Sequence, residues 1–279
     1  ALTTAQFANL TTDQVAALTS VQIPTLESAD VRALTTAAIR ALDTAQLAAL
    51  TSDHMGALTS GQVAALTTDQ IASLTTMDLN QFGTQQFSVL NSAQAQALTS
   101  VQIPNLESAD LRALSSAVIR ALTTAQIDAL TSAQMGQLTT AQVAALTTEQ
   151  IANLTTMDLN ALETNQFQAL SSTQIRAIAS NVFASLNTTD LNALTTAQFA
   201  NLTTDQVAAL TSVQIPTLET ADVRALSTAA IRALDTAQLA ALTSDHMGVL
   251  TSGQVAALTT EQIASLTSGD LNQFGTQQF

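Results

Sequence analysis

An apolar residue occupies every eighth position of this chain from Leu2 to Phe274, with no insertion or deletion over thirty-four consecutive octads. The consensus octad is L-[TS]-[TS]-x-Q-[IVLMF]-x-A, and we number its positions one to eight from the leucine. Units this similar form a tandem array, in which each unit packs against its neighbours. In such an array, function resides in a repeated surface rather than in a unique cleft.

A longer repeat of ten octads is visible in the residues at the sixth position. Phenylalanine opens each block, and the other apolar residues follow in nearly the same order. The predicted super-repeats are residues 7–86, 87–166, a short block 167–198, and 199–278. Residues 193–279 repeat residues 1–87 with six differences, which indicates a recent duplication. The sequence therefore predicts one continuous array over residues 1–279 rather than separate domains.

Each octad carries the signal for the start of a short helix. Its second and fifth positions give the pattern [ST]-x-x-Q/D, as in Thr3 with Gln6, which has the spacing of a capping box. Pro24, Pro104 and Pro216 lie at the seventh position. They exclude a long continuous helix, because proline lacks an N–H and clashes with the carbonyl four residues earlier. An eight-residue repeat also exceeds two turns of 3.6 residues, which favours right-handed coiling.

These signals predict an all-α fold, namely a right-handed solenoid or superhelix of short helices with one helix per octapeptide repeat. The alternative is a β-solenoid, which the paired β-branched residues of each octad favour. Leu, Ala and Gln dominate the octad, however, and its apolar positions do not alternate with a period of two.

The charge balance restricts the classes of partner. The chain has no Lys, and seven Arg face 21 acidic residues to give a net charge of −14. Nucleic acid is disfavoured, because neutralising phosphates needs clustered basic residues. No run of 18 apolar residues occurs, so we expect no membrane insertion. The lack of Cys excludes disulfides and thiol chemistry.

Neither the histidines nor the acidic residues form a recognisable chemical site. His54 and His246 are equivalent residues of the duplicated block, and each replaces the fifth-position Gln of its octad. A metal site needs several converging ligands, and no second His lies near either residue in the sequence. The acidic residues are sparse and match no calcium-binding loop. We therefore expect no metal, no cofactor and no catalytic activity.

Arginines form short ladders at the seventh position, in pairs one octad apart. The candidate contact residues are Arg32, Arg40, Arg112, Arg120, Arg224 and Arg232. Positive charge is confined to these octads and to a lone Arg176, which would suit a contact between neighbouring chains. The alternative is intrachain pairing with nearby acids such as Glu27, Asp30 and Asp43, and exposed pairs of that kind contribute only about 0–1 kcal/mol.

The stretch LTTAQVAALTTEQIANLTT, from Leu138 to Thr156, resembles octapeptide tracts in very large secreted or surface proteins of Gram-negative bacteria, some of them adhesin-like. The resemblance covers the whole chain. It implies an extracellular or cell-surface scaffold that spaces, shields or links cells.

Our leading hypothesis from the sequence is a structural protein that forms an adhesin stalk or self-associates into a surface filament or layer. The alternative is a binding module whose periodic Thr/Ser or Arg face contacts ice, a glycan or other cell-surface ligand, or a partner protein.

Overall fold

The computed structural model describes residues 2–276 and 278, which form short helices and contain no β-strand. The chain divides into two compact units, Ala1–Ala145 (unit 1) and Leu146–Phe279 (unit 2). Each unit is described by itself below.

Unit 1 contains sixteen α-helices in its described residues. They are α1 Thr4–Phe7, α2 Thr12–Ala16, α3 Ser28–Ala33, α4 Thr36–Ala41, α5 Thr44–Ala48, α6 Ser52–Ala57, α7 Ser60–Ala65, α8 Thr68–Ser73, α9 Thr76–Leu79, α10 Thr84–Phe87, α11 Ser92–Gln96, α12 Ser108–Ala113, α13 Ser116–Ala121, α14 Thr124–Asp128, α15 Ser132–Gln137 and α16 Thr140–Ala145.

The described part of unit 2 contains fifteen α-helices of similar length. They are α17 Thr148–Ala152, α18 Thr156–Leu159, α19 Thr164–Ala169, α20 Ser172–Ala177, α21 Ser180–Phe183, α22 Thr188–Ala193, α23 Thr196–Phe199, α24 Thr204–Ala208, α25 Thr220–Ala225, α26 Thr228–Ala233, α27 Thr236–Ala240, α28 Ser244–Val249, α29 Ser252–Ala257, α30 Thr260–Ser265 and α31 Ser268–Leu271.

The capping box predicted from the octad starts these helices. In the octad that contains α7, the Thr59 hydroxyl accepts a hydrogen bond from the Gln62 backbone N–H at 3.2 Å, and Gln62 Oε1 accepts from the Thr59 N–H at 2.8 Å. After the last helical residue, the backbone of Leu66 is extended, with φ −55° and ψ 140°. One leucine therefore separates this helix from the cap of the next.

The three proline octads contain 3₁₀ turns in place of α-helices. These turns are Ile23–Thr25, Ile103–Asn105 and Ile215–Thr217. Proline at the seventh position has no N–H to donate to the carbonyl four residues earlier, so the α-helical hydrogen bond cannot form there. The 3₁₀ turn does not displace the core residue of the octad, since the sixth-position Ile23 remains fully buried.

The core consists of the first and sixth positions. Most sixth-position side chains are almost completely buried whether they are large or small, as Phe87 and Ala95 show with 0% exposure. Most first-position leucines are also buried, as at Leu90. The exceptions lie near the ends of the described chain, where Leu2, Ile263 and Leu271 are exposed. Phe279, which the sequence places at a further sixth position, lies outside the described residues.

Successive turns of each solenoid are three octads apart. In unit 1, α3 packs against α6 and α4 against α7; in unit 2, α25 packs against α28 and α26 against α29. An octad helix is too short to be stable alone, so this packing provides the neighbours that each one needs.

The fifth-position glutamines also join one turn to the next. Gln62 Nε2 donates hydrogen bonds to the carbonyl oxygens of Val31, at 2.9 Å, and Leu34, at 2.8 Å. The same contact recurs in unit 2, where Gln198 Nε2 reaches the carbonyls of Phe167 and Leu170. We call this the inter-turn amide contact. It pairs the carbonyl of the leucine that follows a helix in the preceding turn, and it adds a second hydrogen bond to the sixth-position carbonyl, which already accepts the N–H of that leucine, as Val31 does from Leu34 at 3.2 Å.

The prediction of an all-α solenoid with short helices is confirmed within each unit, and the β-solenoid alternative is wrong. The capping signals and the lack of a period-two apolar pattern are the sequence features that favoured helices over strands. The right-handed sense, the super-repeat bounds and the continuity of the array over residues 1–279 stay predictions.

Replacing Gln62 by Glu should destabilise the fold. Glutamate keeps the acceptor for the Thr59 N–H but loses the amide donor, and it places a buried negative charge against the Val31 and Leu34 carbonyls. We expect the free energy of unfolding to fall by about 3 kcal/mol, measured by urea denaturation with circular dichroism. Gln14→Glu is the control, because Gln14 is exposed and, in the described part of the chain, hydrogen-bonds with Thr11 alone. Equal losses at both positions would contradict this role.

Candidate contact surface

The six predicted contact arginines all lie on the surface. They are Arg32, Arg40, Arg112, Arg120, Arg224 and Arg232, and each is exposed. Each also lies in the last turn of its helix, where the carbonyl end of the helix favours positive charge. Their chain-to-chain role is untested and stays a prediction.

Arg32 and Arg40 form no ion pair with an acidic residue in the described part of the chain. The intrachain pairing considered as the alternative is therefore not formed by these two arginines. Asp30 is two residues from Arg32 on the same helix, and side chains at that spacing do not face each other. The Asp43 carboxylate instead accepts the Gln46 backbone N–H at 2.7 Å and caps α5. Asp30 also accepts a hydrogen bond from the Thr4 hydroxyl at 2.9 Å, so Asp30 and Asp43 are both engaged with other residues.

Arg32 borders a surface cleft of about 340 Å³ whose lining includes Gly56 and Ser60. Unit 2 has the equivalent cleft, about 490 Å³, at Arg224 and Gly248. These clefts were not predicted from the sequence. In the sequence, each of these glycines follows its arginine by three octads. This spacing places the two residues on adjacent turns, but only the structure shows that successive turns are three octads apart.

Three buried aspartates replace the fifth-position Gln in the first octad of each arginine ladder. They are Asp30, Asp110 and Asp222. Burial raises the pKa of Asp110 from 3.8 to about 6, and the negative charge of Glu107 adds to the rise. Burial also raises the pKa of Asp222, against the hydrogen bond from the Thr196 side chain and together with the charge of Glu219. The octads of Arg112 and Arg224 thus combine an exposed cation with a buried carboxyl group whose pKa is raised.

The histidines serve as structural substitutes for glutamine. His54 Nδ1 accepts the Thr51 backbone N–H at 3.2 Å, and Nε2 lies 2.9 Å from the Leu26 carbonyl oxygen. Because the backbone N–H must donate and the carbonyl must accept, the ring is neutral with its proton on Nε2. His246 makes the same pair of contacts with Thr243 and Leu218. Both residues therefore occupy the cap position of their octads.

Valines and methionines at the fourth position form a second set of exposed residues, which sequence reasoning missed. Val21, Val101 and Val213 in the proline octads are 79%, 68% and 75% exposed, and Met77 and Met157 are 65% and 72% exposed. The signal was an apolar residue at a position that is usually Ala or acidic. These side chains lie outside the core formed by the first and sixth positions.

The described residues include no group of three or more His, Asp or Glu that could hold a metal ion. No helix in the described ranges has both the length and the apolar character needed to cross a membrane.

Stability should depend on pH through Asp110. The folded-state pKa lies above the unfolded value, so between about pH 4 and pH 6 the folded protein holds a proton that the unfolded chain has released. The stability due to this residue therefore falls as the pH rises through that range. Asp110→Asn should stabilise the protein at about pH 7.5 by up to about 3 kcal/mol, and the gain should vanish near pH 4. The free energy of unfolding of both proteins, measured by urea denaturation at several pH values, gives this difference.

Glu107→Gln provides a graded comparison for this titration. It removes the charge that adds to the raised pKa of Asp110 but leaves the burial in place. Its stabilising effect should be smaller than that of Asp110→Asn and confined to the same pH range. A stability gain for Asp110→Asn that is constant from about pH 4 to about pH 8 would contradict the assignment.

Comparison with known proteins places these octads in one family. The family model described as the ALTTAQ repeat matches residues 1–27, 23–60, 103–140, 183–218 and 215–252. The matches cover more than half of the 279 residues and occur in both units. No curated protein matches the chain. The chain therefore belongs to the ALTTAQ repeat family.

Proposed function

We propose that the chain is an extracellular structural scaffold, which acts as the stalk of an adhesin or as the wall of a self-assembled surface filament. The observation that carries the proposal is the inter-turn amide contact, which recurs with the same donors and acceptors along both units. When each turn is stabilised by its neighbours in the same way, stability accumulates with repeat number and length is free to change. A stalk or filament needs this property.

The chemistry of the contacts suits an uncontrolled external medium. Most inter-turn amide contacts and caps use Gln and Thr side chains, which do not titrate, and the chain has no Cys to oxidise. The resemblance to tracts in secreted and surface proteins agrees with this location.

The caps favour a scaffold over an ice-binding surface. An ice-binding array needs rows of hydroxyls that are free to order water, whereas second-position hydroxyls such as Thr59 and Thr67 accept backbone N–H groups within their own helices. A binding module of this fold would therefore use its exposed arginines, which suit an acidic glycan or an acidic protein better than ice.

A whole-octad insertion should leave the fold intact. Repeating residues 42–65 after Ala65 adds three octads and preserves the register of leucine, cap and core positions. We expect the helical content per residue to stay constant and the urea midpoint to stay equal or rise, because each added turn brings its own contacts.

Repeating residues 42–69 after Asp69 is the matched control for this insertion. It cuts one octad short before its fifth-position Gln and its sixth-position core residue, and it shifts the spacing between turns by half an octad. The urea midpoint should fall sharply. Equal behaviour of the two insertions would contradict a modular scaffold.

The proposed location can be tested on the source cells. Antibodies raised against the purified chain should label intact, non-permeabilised cells, and external protease should remove the signal. A cytoplasmic protein stained in parallel controls for leakage. Labelling that appears only after permeabilisation would exclude the extracellular role.

A further inference from the structure

In each arginine ladder, one arginine precedes a glycine by three octads and the other precedes an alanine. The glycine pairs are Arg32 with Gly56, Arg112 with Gly136, and Arg224 with Gly248; the alanine pairs are Arg40 with Ala64, Arg120 with Ala144, and Arg232 with Ala256. Contacts of α3 with α6, α12 with α15, and α25 with α28 place each glycine on the turn next to its arginine. The two arginines of a ladder therefore have different surroundings.

Backbone conformation does not require these glycines. No glycine in the described ranges has positive φ, and a Cβ added at Gly56 would meet the Gln81 carbonyl oxygen at 3.5 Å, an ordinary contact. Glycine inside a helix costs about 0.5–1 kcal/mol relative to alanine. Space is the remaining reason, and both Gly56 and Gly248 line a cleft.

The cleft contains donors that suit a carboxylate. Arg32 is exposed and has no ion pair with a described residue, so its planar guanidinium can bind both oxygens of a carboxylate. The Ser60 hydroxyl makes only a long hydrogen bond, 3.4 Å, to the Gln85 carbonyl, and can turn toward a ligand. Unit 2 repeats the set with Arg224 and Ser252.

A second copy of the chain offers many carboxylates to these arginines, although the net charge of −14 on each copy opposes association. The chain has 21 acidic residues and seven arginines, and fourth-position acids such as Asp13, Asp53 and Asp69 are exposed. A single exposed ion pair contributes only about 0–1 kcal/mol, but repeated pairs between two arrays act together through high effective concentration. An array can therefore be held by contacts that are individually weak.

We infer that the clefts at Arg32 with Gly56 and at Arg224 with Gly248 each receive an Asp or Glu side chain from a second copy of this chain. The inference rests on the proposed scaffold function and names its self-contact. It assigns the contact to Arg32 and Arg224, which face a glycine in these two ladders, and not to Arg40 or Arg232.

Three double variants separate charge from shape. Arg32→Gln with Arg224→Gln removes the cations, whereas Gly56→Gln with Gly248→Gln keeps them and fills the clefts. Glutamine is compatible with the seventh position, as exposed Gln96 shows at the end of α11. Arg40→Gln with Arg232→Gln is the matched control, because it removes the same charge from arginines that precede alanine. Circular dichroism establishes that each variant is folded.

Self-association is measured by sedimentation velocity over a range of protein concentrations at about 150 mM salt, where the repulsion between two chains of net charge −14 is screened beyond about 8 Å. The wild-type chain should associate as its concentration rises. Both cleft variants should weaken association at least about tenfold, and the control should change it less than about threefold. Equal loss in the control and cleft variants would overturn the assignment, as would cleft variants that associate like the wild type.

A wild-type chain that stays monomeric at every concentration would also overturn the inference. Surface labelling and tolerance of whole-octad insertions would then still support the stalk form of the scaffold. Failure of labelling, by contrast, would remove the proposed function while leaving any measured self-association in place. The two failures are thus distinguishable.

Discussion

The fold depends on one side chain that satisfies two helix ends. An α-helix leaves its first four N–H and last four carbonyl groups unpaired, so helices as short as these consist almost entirely of unsatisfied ends. Gln62 answers both needs, because Oε1 accepts at the start of its own helix and Nε2 donates to carbonyls in the preceding turn. The octad can be short because the partners of its backbone lie in other octads.

The sequence predicted the hydrogen bonds of the capping box but not those from the glutamine amide to the preceding turn. The [ST]-x-x-Q spacing identifies the cap directly, whereas the Nε2 acceptors lie in the preceding turn, and their positions depend on the number of octads per turn. A sequence signal for the bonds to the preceding turn was present. Glutamate serves as well as glutamine in a capping box, yet no octad has Glu at the fifth position. Gln occupies this position in most octads, which indicates that an amide donor is favoured there, although Asp, Ala and Val also occur, as at Asp30, Ala38 and Val118.

The same limit explains the outcome for the arginines. Proximity in sequence made Asp30 and Asp43 the expected partners of Arg32, but helix geometry turns Asp30 away and capping engages Asp43. The neighbour that shapes the surroundings of Arg32 is Gly56, on the next turn. Core burial was predictable from each octad alone, while surface pairing required the relation between turns.

The residues that recur every ten octads are of two kinds, those buried in the core and those exposed on the surface. Phe87 and Met55 are fully buried, so their periodic return is explained by packing, because side chains that share a thin core must keep compatible volumes. Arg32 and Val21 are exposed, and packing within the chain places no demand on them. Duplication accounts for the copy in residues 193–279, but the return of Arg and Val in residues 87–166, where the sequence differs more, calls for a further reason. The proposed scaffold supplies one, because exposed residues that recur in register are those that its proposed self-contact would use.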